Sequence, residues 1–170
     1  MTISVVALLA TLVFMLGELM LSRRNERILR ARGASEPPDP VYRTMQWAYP
    51  GAFAAMAIEG TASGTESSAA TLAGALVFLA GKLLKFWAIA TLGERWTFRV
   101  LVEPGTPLAT NGPYRLMRHP NYVGVAGELM GMALVTQAPW TGTAGTAVFL
   151  WLLWRRIQVE ERALGMRGIY

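Results

Sequence analysis

What constrains this chain most is an alternation. Long apolar runs are separated by polar segments, and the arginines are confined to every second segment. Residues 3–21 form an apolar run broken only by Glu18, close to the roughly 20 residues that cross a bilayer core as a helix. Further runs follow at 45–58, 71–92, 122–135 and 143–154. The third contains Lys82 and Lys85, and only Gln137-Ala-Pro-Trp-Thr-Gly142 separates the last two. This predicts an all-α, polytopic integral membrane protein with about five transmembrane helices, the last two closing as a helical hairpin. Composition agrees: 53% of the 170 residues are hydrophobic and 16% charged, against roughly 25% charged in typical soluble chains.

The basic residues orient the runs. Arg23, Arg24, Arg27, Arg30, Arg32 and Arg43 lie between the first and second, and Arg95, Arg99, Arg115 and Arg118 between the third and fourth. Arg155, Arg156, Arg162 and Arg167 follow the fifth. The N-terminus, residues 60–70 and the turn at Gln137 carry none. The positive-inside rule then predicts the N-terminus outside, five crossings and the C-terminus in the cytoplasm, as in a bacterial inner membrane. The first run has no positive n-region, so it is expected to remain as an anchor rather than be cleaved as a signal peptide. Trp47, Trp96, Trp140 and Trp154 fall near run ends, as an aromatic belt would.

The formal charge of +5 therefore sets topology first and does not imply nucleic acid. The absence of cysteine excludes disulfides, thiolate zinc sites and a cysteine nucleophile, and the single histidine excludes a His-rich metal site. No metal and no obligate protein partner are expected. Glu36-Pro-Pro-Asp-Pro40 is the clear linker, because its three prolines cannot continue a helix.

The segment 93–121 is too long for a bland loop, and loops of this length inside compact proteins are usually functional. Pro120 stands where the fourth helix should start, the favoured first helical position for proline. His119 then falls at the cap, and the free N–H groups of that helix start form an anion site beside Arg115 and Arg118. A second polar cluster ends the fifth run. Arg156 and Glu160 are four apart and share a helix face, while Glu161 points elsewhere. A hairpin of the last two helices would bring His119, Pro120, Asn121 and Tyr122 beside Arg156 and Glu160, around one pocket.

These residues carry a resemblance. Gly112-Pro-Tyr-Arg-x-x-Arg-His-Pro-Asn-Tyr-x-Gly, with Arg-x-x-x-Glu-Glu-x-x-Leu some forty residues later, resembles the isoprenylcysteine carboxyl methyltransferase superfamily. Those are integral-membrane enzymes that use S-adenosylmethionine. The likeness runs from Leu92 to Leu164, with a looser one at 22–36. Together with Leu92-Gly-x-Arg-Trp-Thr-x-Arg-Val100 it is closest to the bacterial branch that O-methylates alkylresorcinols and alkylpyrones. The resemblance implies one methyltransferase domain over 1–170. Three N-terminal transmembrane helices would occupy 1–92, a cytoplasmic cofactor loop 93–121, and the hairpin with its cytoplasmic helix end 122–170. It also implies cofactor contacts at Thr106, Pro107, Leu108, Ala109, Tyr114, His119, Pro120, Asn121, Tyr122 and Glu160, and an acceptor-contacting arginine at Arg156. Family members continue past Gly165…Tyr170 with a basic, proline-containing tail, so part of the cofactor cover is expected to be missing here or supplied from elsewhere.

The implied chemistry suits the residues. Tyr114 and Tyr122 could face a sulfonium by a cation–π contact, the fourth helix start suits a carboxylate, and a glutamate suits ribose hydroxyls or an amino group. The acceptor is expected to be a lipophilic molecule entering from the membrane lipid. A phenolic or enolic hydroxyl of a long-chain alkylresorcinol or alkylpyrone is the first choice. A prenylcysteine-like carboxylate and a phospholipid amine are the competing acceptors, and a small membrane scaffold or transporter subunit is the non-enzymatic alternative.

Four charges fall inside the apolar runs. Glu128 lies about six residues into the fourth, roughly 9 Å at 1.5 Å per residue, and an intramembrane carboxylate is a functional candidate by default. Two readings stand: a general base for a phenolic acceptor, which would make Glu128 catalytic alongside Arg156, or an ion pair with Lys82 or Lys85. Lys85 is expected to snorkel to the interface, and Glu18 to pair with a nearby arginine. Gly124, Gly127 and Gly131 are expected to form a close helix-packing face.

Overall fold

The structure is a computed structural model that describes residues 2–166. Arg167 and the chain end at Tyr170 lie outside the described residues, as does Met1. Five helices follow one another: α1 (Ile3–Ala31), α2 (Tyr42–Ala62), α3 (Ala69–Leu92), α4 (Pro120–Thr136) and α5 (Pro139–Ala163). Short 3₁₀ turns at Gly93–Arg95 and Gly112–Arg115 stand within the long loop between α3 and α4. Among the described residues no strand forms; Ser35 and Val102 make an isolated antiparallel bridge that ties the α1–α2 linker to that loop.

The distribution of polarity on α1 is inside out. Its buried positions are Ser4, Thr11, Glu18, Ser22 and Asn25, with only Leu29 apolar. Its exposed positions include Val6, Leu9, Val13, Phe14, Leu16 and Met20. A helix on the surface of a water-soluble domain shows the reverse. The outer face of α3 is equally apolar, with Leu72, Leu76, Leu79, Leu83 and Trp87 exposed. The segments Ile3–Ala31 and Ala69–Arg95 are long and apolar enough to cross a membrane. An exterior of this kind is stable only against lipid, so the chain has the character of a membrane protein.

Small residues bring α3 and α4 together. A Cβ on Gly81 would stand 2.7 Å from the Gly124 carbonyl oxygen, and one on Gly131 would stand 2.4 Å from the Phe78 nitrogen. The two backbones touch there, as membrane helices joined through small residues do. The glycine face read on α4 therefore meets glycines Gly74 and Gly81 on α3. On the other side of α4, Phe53 and Met56 of α2, Leu129 and Met132 of α4, and Phe149, Leu152 and Leu153 of α5 form the apolar core.

The helix starts follow from local chemistry. α4 begins at Pro120 with His119 in the cap position, as expected from the sequence. α5 begins at Pro139, four residues before its apolar run. There Glu59 of α2 accepts the N–H groups of Trp140 and Thr141 at 3.1 and 2.7 Å, supplying the cap that α5 lacks in its own sequence. The turn between α4 and α5 is tight, with Gln137 at a left-handed φ of 50°.

The intramembrane charges correct two expectations. Among the described residues Glu18 pairs with lysines and with no arginine, and Lys85 does not snorkel. Glu18 meets Lys82 at 3.0 Å and Lys85 at 2.6 Å, and Glu128 meets Lys82 at 2.8 Å and Lys85 at 3.5 Å. The Tyr49 hydroxyl also donates to Glu128, at 2.6 Å. None of the four charged side chains is more than 4% exposed. The physical reason is where the faces point: α1, α3 and α4 turn their charged positions toward one another. A buried quartet of two carboxylates and two ammoniums is neutral, whereas a lone buried charge costs several kcal/mol.

Candidate active site

The loop between α3 and α4 is pinned to the end of α1. Asn25 donates to the carbonyls of Gly93 and Trp96 at 3.1 and 2.8 Å, and the Phe98 N–H donates to Ser22 Oγ at 2.8 Å. Further along, Arg95 donates to the Pro107 carbonyl at 2.8 Å, which folds the stretch 106–109 back over the start of α4. The Trp96 indole donates to Asn121 Oδ1 at 3.2 Å.

This arrangement encloses a cavity of about 190 Å³ between the loop, the start of α4 and the end of α5. Thr106, Pro107, Leu108, Ala109, Tyr114, His119, Asn121, Tyr122, Arg156 and Glu160 all border it. Pro120 does not; it is buried and sets the first turn of α4 behind the wall. The α4 cap residue and one residue of its first turn are each joined to a residue of α5. The Tyr122 hydroxyl donates to Glu160 Oε2 at 2.5 Å, and His119 Nε2 stands 3.2 Å from Glu161 Oε1. The His119 and Tyr122 rings stack with centroids 5.6 Å apart. Pro120 has no N–H, and those of Tyr122 and Val123 turn back to the His119 carbonyl. The amide left pointing out of this helix start is that of Asn121. Burial, followed by the nearby Glu160 charge, raises the Tyr114 phenol above its ordinary range, so it faces the cavity as a neutral ring.

A second, larger cavity of about 560 Å³ lies between α1, α2 and the core. Leu12, Met15, Leu19, Met45, Phe149 and Leu153 line it together with Glu18, Arg23, Glu26 and Lys85, and it reaches Trp47 on the exposed side of α2. Thr97, Arg99, Asn121, Tyr122 and Arg156 border both cavities. The first, called the polar cavity for its Arg118, His119 and Glu160, and the second, called the apolar cavity for its leucines and methionines, therefore adjoin at Tyr122 and Arg156.

Glu128 borders neither cavity. Both of its oxygens face lysines of the buried quartet, the ion pair that is one of its two readings, while its partners Tyr49 and Lys85 border the second cavity. Two acids to which the sequence assigns no role at the site stand behind its wall, bordering neither cavity. Glu161 reaches His119 from one face of α5 while Glu160 reaches Tyr122 from another. Asp39, in the proline linker, forms a buried ion pair with Arg156. Neither contact has a local sequence signal, because each joins segments far apart in the chain.

Fold and site together define a helical membrane protein whose polar cavity, beside the α3–α4 loop, shares a wall with an apolar one between helices. The chain belongs to the isoprenylcysteine carboxyl methyltransferase (ICMT) family, which matches residues 73–166, from α3 through α5 and the whole site loop. It is a methyltransferase. It is 31% identical over 147 residues to the uncharacterized protein YpbQ of Bacillus subtilis, covering 86% of this chain and 88% of that one. It is 34% identical over 94 residues to a probable protein-S-isoprenylcysteine O-methyltransferase of Oryza sativa subsp. indica, covering 52% of this chain and 47% of that one. It is 33% identical over 91 residues to protein-S-isoprenylcysteine O-methyltransferase A of Arabidopsis thaliana, covering 52% of this chain and 46% of that one. No solved structure matches the chain.

Proposed function

We propose that this chain transfers the methyl group of S-adenosylmethionine to a lipophilic acceptor, with the cofactor in the polar cavity and the acceptor in the apolar one. The observation that carries this reading is the adjoining of the two cavities at Tyr122 and Arg156. The donor set fits the cofactor. Tyr114 and Tyr122 present neutral rings to a sulfonium, the Asn121 amide and the α4 start suit its carboxylate, and Glu160 suits ribose hydroxyls or its amino group. When bound, that group supplies an electrophilic methyl. The protein's part is alignment: holding both partners in line contributes up to roughly 7–11 kcal/mol of the barrier.

The first choice of acceptor is a hydroxyl on a long-chain alkylresorcinol or alkylpyrone, drawn from membrane lipid with no protein partner. Its apolar tail would lie along Leu12, Met15 and Leu19 with its ring at Arg156. A prenylcysteine-like carboxylate is the second reading, favoured by what the plant relatives' names state and by the arginine at the junction. In the membrane, all five helices would cross, with the N-terminus outside and the site in the cytoplasm, since the arginine-bearing segments gather at the site's end. Titration of the purified chain with S-adenosylhomocysteine tests the cofactor half directly. Saturable binding is expected; its absence would return the chain to a scaffold role.

A further inference from the structure

The linker between α1 and α2 does more than connect them. Ser35 bridges Val102, and its N–H and carbonyl each pair with that residue, at 3.0 and 2.9 Å. Glu36 accepts from Arg99 at 2.5 Å and also pairs with Arg30. Asp39 divides its two oxygens. Oδ1 accepts the N–H groups of Val41 and Tyr42, both at 3.1 Å, and so caps α2. Oδ2 faces Arg156 Nη1, and the two side chains are 5% and 4% exposed. The other arm of Arg156 donates to the Phe98 carbonyl at 2.5 Å. The Tyr42 ring lies 4.6 Å from the Arg99 guanidinium carbon and 5.5 Å from that of Arg156. The two arginines that border both cavities are thus each held by an acid of this proline-stiffened strap.

We propose that Asp39 is a positioning and specificity-determining residue. By matching the charge of Arg156 and fixing its guanidinium where the cavities adjoin, it fits the acceptor site to an uncharged hydroxyl headgroup rather than a carboxylate. This rests on the methyl-transfer reading and names the acceptor class within it. Arg156 without Asp39 would be a buried cation left to the charges of Glu160 and Glu36, a state more open to recruiting an anion. With Asp39 in place the pair is neutral, and an acceptor carboxylate arriving beside it meets a like charge at low dielectric. A hydroxyl suffers no such repulsion and can still hydrogen-bond at the junction.

Asp39→Asn isolates the charge, because the amide oxygen can go on accepting from Val41 and Tyr42 and keep the cap. Purified full-length protein in lipid nanodiscs would be titrated with two labelled amphiphiles whose tails have the same number of carbons, pentadecylresorcinol and N-acetyl-farnesylcysteine. Wild type is expected to bind the resorcinol more tightly. Asp39→Asn should shift the ratio of dissociation constants about tenfold or more toward the carboxylate, about 1.4 kcal/mol. Arg156→Gln should shift it the other way, and the double variant should return it toward wild type. An unchanged ratio in Asp39→Asn, a shift that the double variant does not reverse, or a wild type that prefers the carboxylate or binds neither would overturn the proposal. Asp39→Asn should still bind S-adenosylhomocysteine saturably, which shows that the site assembles; Asp39 borders neither cavity, though Arg156 borders both. Failure of wild type to bind S-adenosylhomocysteine would count against methyl transfer itself, whatever the amphiphile ratio shows.

Discussion

His119 stands at the cap of α4 and Tyr122 sits on its first turn, the two rings stacked on each other and each tied to a different glutamate of α5. Replacing either by alanine removes a wall of the polar cavity; Tyr122 also packs against the apolar core, so its variant carries a packing loss that His119→Ala does not. His119→Ala and Tyr122→Ala are each expected to weaken S-adenosylhomocysteine binding about tenfold or more, roughly 1.4 kcal/mol, with unchanged helical circular dichroism. Wild-type affinity in both would contradict the cofactor placement. Glu128 leads to the opposite expectation. Glu128→Gln leaves two lysines facing one carboxylate in the buried quartet, and breaking such a cluster typically costs about 3–5 kcal/mol. Its signature should be a lowered unfolding temperature in detergent, with turnover per folded molecule near normal; normal stability with turnover lost would reinstate it as a base. At this scale the sequence was informative where residues are close along the chain: the cap at His119 and the Arg156–Glu160 face were legible. The pairs Asp39–Arg156, Glu161–His119 and Glu18–Lys82 were not, since only the packed bundle brings them together.

Between elements, the tightest requirement is the α3–α4 seam. Gly131→Ala would place a Cβ 2.4 Å from backbone of α3, which cannot rotate away. It is expected to destabilise by about 1–3 kcal/mol or more, seen as loss of folded protein after thermal challenge. Gly17→Ala is the matched control: an added Cβ on α1 meets nothing within 4 Å. It should be neutral or stabilise by up to about 1 kcal/mol through helix propensity. The strap from Ser35 to Asp39 has its own pH signature. Burial acts to raise the Glu36 carboxyl, but the hydrogen bonds from Arg30 and Arg99 outweigh it and hold it below the usual range. A depressed acid contributes stability that is fully present above its unfolded value and is lost as pH falls through the folded one. Strap protection measured by hydrogen exchange should therefore be flat from neutrality down to the ordinary glutamate range and fall only below it. The glycine face was readable because small residues at helical spacing have one use in lipid. The start of α5 at Pro139 was not, because its cap comes from Glu59 on another helix.

For the molecule as a whole, polarity is arranged for lipid: the buried face of α1 carries hydroxyls, an amide and a carboxylate, and its outer face carries leucine, valine and phenylalanine. The run-and-arginine alternation made that architecture legible, since apolar length and charge placement are both properties of linear sequence. The apolar cavity was not legible, because it is a gap between α1, α2 and the core that no single segment encodes. A reporter active only in the cytoplasm should give signal when fused after Tyr170 and none when fused before Met1, and the reverse pattern would invert the loop assignments. The most direct test of methyl transfer at the cavity junction uses purified protein, methyl-labelled S-adenosylmethionine and a total lipid extract from the source cell. The label is expected in one extractable lipid product with wild type, and to be absent with Tyr122→Ala. Label that stays entirely in the aqueous phase with wild type, or that reaches lipid equally with Tyr122→Ala, would contradict it.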